Sequence, residues 1–286
     1  MWNRSAKDWR EKAMRLDEAF RAAGRRPLIP FITAGDPDLG TTLELIRILD
    51  EEKMTAIELG VPYSDPLADG PVIQAASGRA LVHGVTLSTV LELACEARRN
   101  GVKTPLVLFS YYNPILQYGP QALITTAAEA GVNGMIIPDL PWEEGREIAE
   151  SARVHGVDLI PLVAPTSRER IRRIVSDAQG FVYCVSSLGT TGVRSRFDLG
   201  VDDFLDTVRE WSPVPTAVGF GISKAEHVRR FLKHADAAVV GSALVREVER
   251  AGEAFFDPAR REEALEGIRR FVRELAEPRS TVASRT

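Results

Sequence analysis

Ala56-Ile57-Glu58-Leu59-Gly60-Val61-Pro62-Tyr63-Ser64-Asp65-Pro66-Leu67-Ala68-Asp69-Gly70-Pro71 decides how this chain is read. An apolar run ends in a glutamate and then breaks at Gly60 and Pro62. The residues beyond are too rich in Pro, Gly, Ser and Asp to continue as strand or helix. Glu58 therefore closes a strand, and Asp69, eleven positions later, sits in the loop that follows. Acid–base chemistry on a rigid scaffold needs such a placement. A lone carboxylate at a strand end is more often a structural ion pair, so its surroundings must decide.

Outward from this stretch, short apolar runs recur at 28–33, 55–59, 106–110, 134–138, 159–163, 181–185, 216–219 and 237–241. Amphipathic runs alternate with them, at 41–53, 87–100, 120–130, 143–155, 168–178, 202–211, 224–233 and 261–276. Near-continuous apolar strands flanked by helices imply a parallel sheet covered on its outer face. Eight such units close into an α/β fold, a single (β/α)8 TIM barrel. A doubly wound open sheet fits less well, because no G-x-G-x-x-G opens the first helix. An extra helix is expected at about 5–23, where Leu16, Ala19, Phe20 and Ala23 form an apolar stripe. The last residues, about 277–286, read as a polar tail, and one domain is expected over 1–286.

Two connections are long, after strands two and six. Excess length after a strand lies on the C-terminal face of a barrel, where active sites are built. The first holds Asp69. The second reads Ser186-Ser187-Leu188-Gly189-Thr190-Thr191-Gly192-Val193-Arg194-Ser195-Arg196, a composition suited to a mobile lid.

Strand seven runs into Gly219-Phe220-Gly221-Ile222-Ser223 and strand eight into Gly241-Ser242-Ala243-Leu244-Val245. Glycine removes the Cβ that keeps a ligand from backbone N–H groups, and barrels bind phosphate where loops seven and eight meet. Ser242 is expected to cap a short helix aimed at an anion. Gly192 offers a third backbone donor. Single glycines would only make tight turns; two such loops at these positions point to a phosphate site.

Composition excludes other classes. With 36 basic and 40 acidic residues and net charge −4, the chain has no global basic field for nucleic acid. No apolar run approaches the roughly 20 residues that span a bilayer. The N-terminus has no apolar signal core, and Asp8, Glu11, Asp17 and Glu18 argue against a transit peptide. Cys95 and Cys184 read as core residues, and four scattered histidines supply no metal-ligand cluster. A reducing cytoplasm is the expected compartment.

With these residues in place, the chain resembles the tryptophan synthase α-subunit family, the indole-3-glycerol-phosphate lyases. The resemblance runs from Pro30-Phe31-Ile32-Thr33-Ala34-Gly35-Asp36-Pro37 to the helix after Gly241-Ser242. Its most specific motif is the 58–71 stretch. Tyr112-Asn113-Pro114, Pro138-Asp139-Leu140-Pro141, Gly189-Thr190-Thr191-Gly192 and Gly219-Phe220-Gly221-Ile222 follow in order. The resemblance implies retro-aldol cleavage of indole-3-glycerol phosphate to indole and glyceraldehyde 3-phosphate, with no metal or organic cofactor in this chain. It implies Glu58 as the general acid–base and Asp69 as the carboxylate facing the indole N–H. Thr191 would be the lid hydroxyl closing toward Asp69, and Tyr183 would lie beside the glycerol part. Phe31, Phe109, Ile136 and Leu162 would wall the indole, their alternative being ordinary barrel core. Gly192, Gly219, Phe220, Gly221, Gly241 and Ser242 would hold the phosphate.

The family also implies a tryptophan synthase β subunit as partner, holding pyridoxal phosphate, in an α2β2 assembly. Pro62, Asp65, Pro66 and Asn113 are its candidate contacts. A stand-alone lyase and a barrel that has lost its chemistry are the alternatives, and the intact carboxylates and phosphate loops argue against the latter. Other phosphosugar barrels share the phosphate end but give no reason for the Glu58-to-Asp69 loop. Three positions depart from the common pattern: the residues before the loop-six Thr-Gly pair, Pro138 ahead of Asp139, and a long N-terminal helix.

Overall fold

The computed structural model describes residues 13–22, 24, 26–185, 200–219 and 221–276. Its strands are β1 Leu28–Thr33, β2 Ile57–Gly60, β3 Leu106–Phe109, β4 Gly134–Ile136, β5 Asp158–Leu159, β6 Leu162–Val163, β7 Val182–Val185, β8 Thr216–Gly219 and β9 Ala237–Val240. All neighbours pair in parallel, in the order β5-β4-β3-β2-β1-β9-β8-β7-β6. The two ends of this sheet, β5 and β6, are halves of one apolar run. Ile160 N–H donates to Met135 at 2.8 Å on one side, and the Pro161 carbonyl accepts from Tyr183 N–H at 2.9 Å on the other. The barrel thus closes through its fifth strand, which the expected 159–163 run shows as two short pieces. Pro161 has no N–H to give the ladder, so the break falls there.

Helices cover the outside of the sheet. Three of them, Pro71–Val82, Tyr112–Tyr118 and Ser242–Ala251, go beyond the eight amphipathic runs. The first accounts for much of the excess length after β2. The N-terminal helix is shorter than expected. It runs Leu16–Arg21, and residues 13–15 are not helical. Met14 is instead tied to the barrel base, its N–H donating to Lys103 and its carbonyl accepting from the Asn133 amide, each at 3.1 Å. The rest of the expected 5–23 helix lies mostly outside the described residues. So does the 277–286 tail.

Side-chain alternation along each strand sorts the core into layers. Ile29, Ala56, Val107, Ile136, Ile160, Phe181, Ala217 and Ala237 fill the barrel interior, and Leu16 plugs it from below. Two residues further along the same faces, the chain presents Phe31, Glu58, Phe109, Pro138, Leu162, Tyr183, Gly219 and Val239. That layer opens at the C-terminal mouth. The C-terminal helix Arg261–Ala276 is bolted to the wall by Glu52, which pairs with Arg26, Arg269 and Arg273. Burial pushes Glu52 up, but the hydrogen bonds from Arg273 and Arg269 outweigh it and hold the carboxyl below its ordinary range.

Candidate active site

Glu58 is the second residue of β2, in register between Phe31 of β1 and Val107 of β3, and the strand runs on to Gly60 rather than closing at Glu58 as expected. It is 1% exposed, and its Oε1 is buried with no hydrogen-bond partner among the described residues. Burial raises its pKa well above the ordinary value, which favours the protonated carboxyl that a general acid needs.

Asp69 enters from the loop after β2. The Pro66 carbonyl accepts its N–H at 3.0 Å, and the Gln74 amide donates to its carbonyl at 2.8 Å. Tyr111, just beyond β3, donates its hydroxyl to Asp69 Oδ2 at 2.9 Å and accepts from Ala68 N–H at 3.0 Å. Burial raises the Asp69 pKa to about 6, opposed by the Tyr111 hydrogen bond. With a pKa of about 6, Asp69 is mostly anionic at pH 7. Burial is the main cause of both shifts, and only Asp69 has a hydrogen bond, from Tyr111, acting against it.

Past β1, the ends of β8 and β9 present backbone donors at the mouth. Helix Ser242–Ala251 starts with no side-chain cap. Ser242 is the first helical residue and Gly241 holds the cap position, so Ser242 does not cap the helix as expected. The first-turn N–H groups have no acceptor inside the helix and point at the mouth with the positive end of the helix dipole. Gly221 has φ +70°, a left-handed backbone suited to glycine. A Cβ on Gly219 would lie 2.5 Å from the Tyr183 hydroxyl, so this glycine makes room for Tyr183.

Between these ends lies a cavity of about 830 Å³. Phe31, Phe109, Leu162, Tyr183, Gly219, Gly221, Gly241 and Ser242 all line it, together with Glu58 and Asp69. Phe31 and Phe109 meet edge to face, with ring centroids 5.5 Å apart. Ile136 does not reach it. That side chain packs one layer down in the barrel interior, and Pro138, two residues on, faces the cavity in its place. Thr191, Gly192 and Phe220 lie outside the described residues. Among the described residues no group of three or more His, Cys, Asp or Glu is placed to hold a metal ion, and no single helix is long and apolar enough to cross a membrane.

Comparison with known proteins meets this geometry directly. The family model described as tryptophan synthase alpha chain matches residues 18–277. The chain belongs to the tryptophan synthase alpha chain family. The tryptophan synthase alpha chain of Halalkalibacterium halodurans is 50% identical over 262 residues, covering 91% of this chain and 98% of the relative. That of Bacillus subtilis is 49% identical over 238 residues, covering 83% and 89%. A mutant alpha subunit from Pyrococcus furiosus superposes with a TM-score of 0.77 at 39% identity, covering 87% of this chain and 97% of that one. A tryptophan synthase complex from the same organism matches at the same TM-score, identity and coverage.

Within this family frame, two features of the site escaped the sequence reading. Tyr111 directly precedes the Tyr112-Asn113-Pro114 motif, yet only the fold shows its hydroxyl on Asp69. Ile73, on the first turn of helix Pro71–Val82, packs with Phe31 at the cavity edge. One expected partner contact is corrected. Pro62 is buried and offers little surface, whereas Asp65 and Asn113 are exposed.

Proposed function

We propose that Glu58 and Asp69 divide the chemistry of the family's reaction in this cavity. The chain is a carbon–carbon lyase of tryptophan biosynthesis, cleaving indole-3-glycerol phosphate to indole and glyceraldehyde 3-phosphate. Glu58 gives a proton to indole C3. The ring becomes an indoleninium, and anionic Asp69 stabilises its N–H. The side-chain hydroxyl next to C3 then loses its proton to Glu58. The C3–carbon bond breaks, its electron pair returns to the ring, and the hydroxyl carbon becomes the aldehyde. Glu58 ends as it began, and no cofactor is required of this chain.

The buried Glu58 Oε1 at the mouth, without a partner among the described residues, carries this reading. Phe31, Phe109 and Leu162 suit the ring, Tyr183 the glycerol part, and Gly219, Gly221, Gly241 and Ser242 the phosphate. Thr191, Gly192 and Phe220 are proposed for lid and phosphate on sequence alone. The β subunit, holding pyridoxal phosphate, is proposed to dock on the loop after β2 and helix Tyr112–Tyr118. Leu67 there is 77% exposed and Leu116 55%. Assembly as α2β2 in the cytoplasm completes the proposal. Indole release by the purified chain, with and without a β subunit, tests it: no release under either condition overturns it.

A further inference from the structure

Arg79 lies outside the cavity, yet it joins three elements that build it. Its guanidinium donates from Nε to Asp36 Oδ1 at 2.7 Å and from Nη2 to Asp36 Oδ2 at 2.9 Å. The remaining arm, Nη1, donates to Glu249 Oε1 at 2.9 Å. Asp36 is 4% exposed and sits in the turn after β1, the strand that carries Phe31. Arg79 is on helix Pro71–Val82, which starts directly behind Asp69-Gly70. Glu249 is on helix Ser242–Ala251, whose N-terminus forms the anion end.

The two helices pack on each other and on β1. At their N-terminal turns, Ile73 lies beside Gly241: a Cβ on that glycine would be 3.8 Å from Ile73 Cδ1. Arg79 is eight residues into the first helix and Glu249 seven into the second. At 1.5 Å per residue the clamp therefore sits roughly 10–12 Å behind both N-termini, at matching depth. A planar fork held by both oxygens of a buried carboxylate fixes direction as well as distance, which a lysine cannot do.

We propose that Arg79 is a positioning residue that sets the distance between Asp69 and the anion end of the cavity. The inference rests on the site reading above. Asp69 and the phosphate donors engage opposite ends of one substrate, so their separation matters only for a ligand that spans both. Misplacement of about 1 Å costs on the order of 10²-fold in rate when the reacting parts are held by separate elements.

Three probes separate positioning from plain structural support: indole, glycerol 3-phosphate, and 3-(indol-3-yl)propyl phosphate, which joins the two. Calorimetric titration of Arg79→Gln should show indole and glycerol 3-phosphate binding within about twofold of wild type, but the joined ligand roughly 10-fold or more weaker. Turnover should fall by at least that factor while the fold, read by circular dichroism, is kept. Arg79→Lys, which retains the cation without the fork, should show the same pattern and serves if Arg79→Gln does not fold. Joined-ligand affinity equal to wild type in Arg79→Lys overturns the clamp, as does a loss shared equally by both fragments. If wild type binds the joined ligand no better than glycerol 3-phosphate, the two-ended site reading falls, and the clamp with it.

Discussion

The Tyr111 hydroxyl meets Asp69 Oδ2 at 2.9 Å and makes that bond as a donor, because its own oxygen accepts the Ala68 N–H. The tyrosine thus favours the anionic carboxylate against a burial that pushes its pKa to about 6. Tyr63 packs on Tyr111 with ring centroids 5.2 Å apart, and Asn113 donates to the Tyr63 hydroxyl at 3.1 Å. The loop after β2 and the segment after β3 are in this way joined through the same carboxylate.

Removing that hydroxyl should raise the Asp69 pKa further. Tyr111→Phe is expected to move the acidic limb of the turnover profile upward, cutting turnover at pH 6 by roughly 10-fold and recovering toward wild type by pH 8.5. A pH profile of indole release checks this. A loss of the same size at every pH would mean that Tyr111 only packs the loop.

Glu58→Gln and Asp69→Asn are each expected to lower indole release by about 10²–10⁴-fold. The same changes should stabilise the protein at alkaline pH. Both carboxyls have folded-state pKa values above their ordinary ones, so the folded state binds more protons than the unfolded chain between the two values. Their contribution is fully present below about pH 4 and is lost as pH rises through the folded pKa, which for Asp69 is about 6. Asp69→Asn avoids that loss and should gain about 1–3 kcal/mol at pH 8. Urea titrations at pH 5 and pH 8 measure it, and a gain no larger at pH 8 than at pH 5 would contradict the assignment.

Gly219 and Gly241 should fail in different ways. A Cβ at Gly219 collides with the Tyr183 ring and hydroxyl, whereas at Gly241 the nearest atom is Phe31 Cβ at 3.7 Å. Gly219→Ala is expected to lower stability by about 1–3 kcal/mol and to disturb Tyr183. Gly241→Ala should melt near wild type but bind glycerol 3-phosphate roughly 10-fold more weakly, because the methyl shields the helix N–H groups. Melting curves paired with phosphate-ester titrations separate the two outcomes.

Glu52→Gln should loosen the C-terminal helix without touching the chemistry. It leaves Arg26, Arg269 and Arg273 without their shared, buried anion, at a cost of about 3 kcal/mol. Because the Glu52 pKa is lowered in the fold, its contribution is present above pH 4.5 and fades as pH falls through the folded value. Hydrogen exchange across residues 261–276 should speed up in the variant at pH 7, with turnover unchanged. Unaltered exchange would show that the helix is held by its apolar face alone.

The alternation of apolar runs and amphipathic stretches determined the parallel barrel from sequence, because burial on both faces leaves a strand no polar positions. The Pro-rich stretch that begins at Pro62, just past β2, marked the loop that carries Asp69 for an equally local reason: such residues cannot continue a strand. The motifs from Pro30 to Ser242 then named the family. What sequence left open depends on three-dimensional phase and depth. Ile136 ends β4 and Pro138 lies in the turn just beyond it, and only the depth of the closed barrel decides which of them reaches the cavity. Pro62 lies in a loop yet is buried. Ser242 begins a helix that Gly241 caps. The raised pKa values of Glu58 and Asp69, the Tyr111 bond and the Arg79 clamp all arise between residues distant in the chain. Local composition cannot encode them, because desolvation and hydrogen bonding are set by whatever the fold brings alongside.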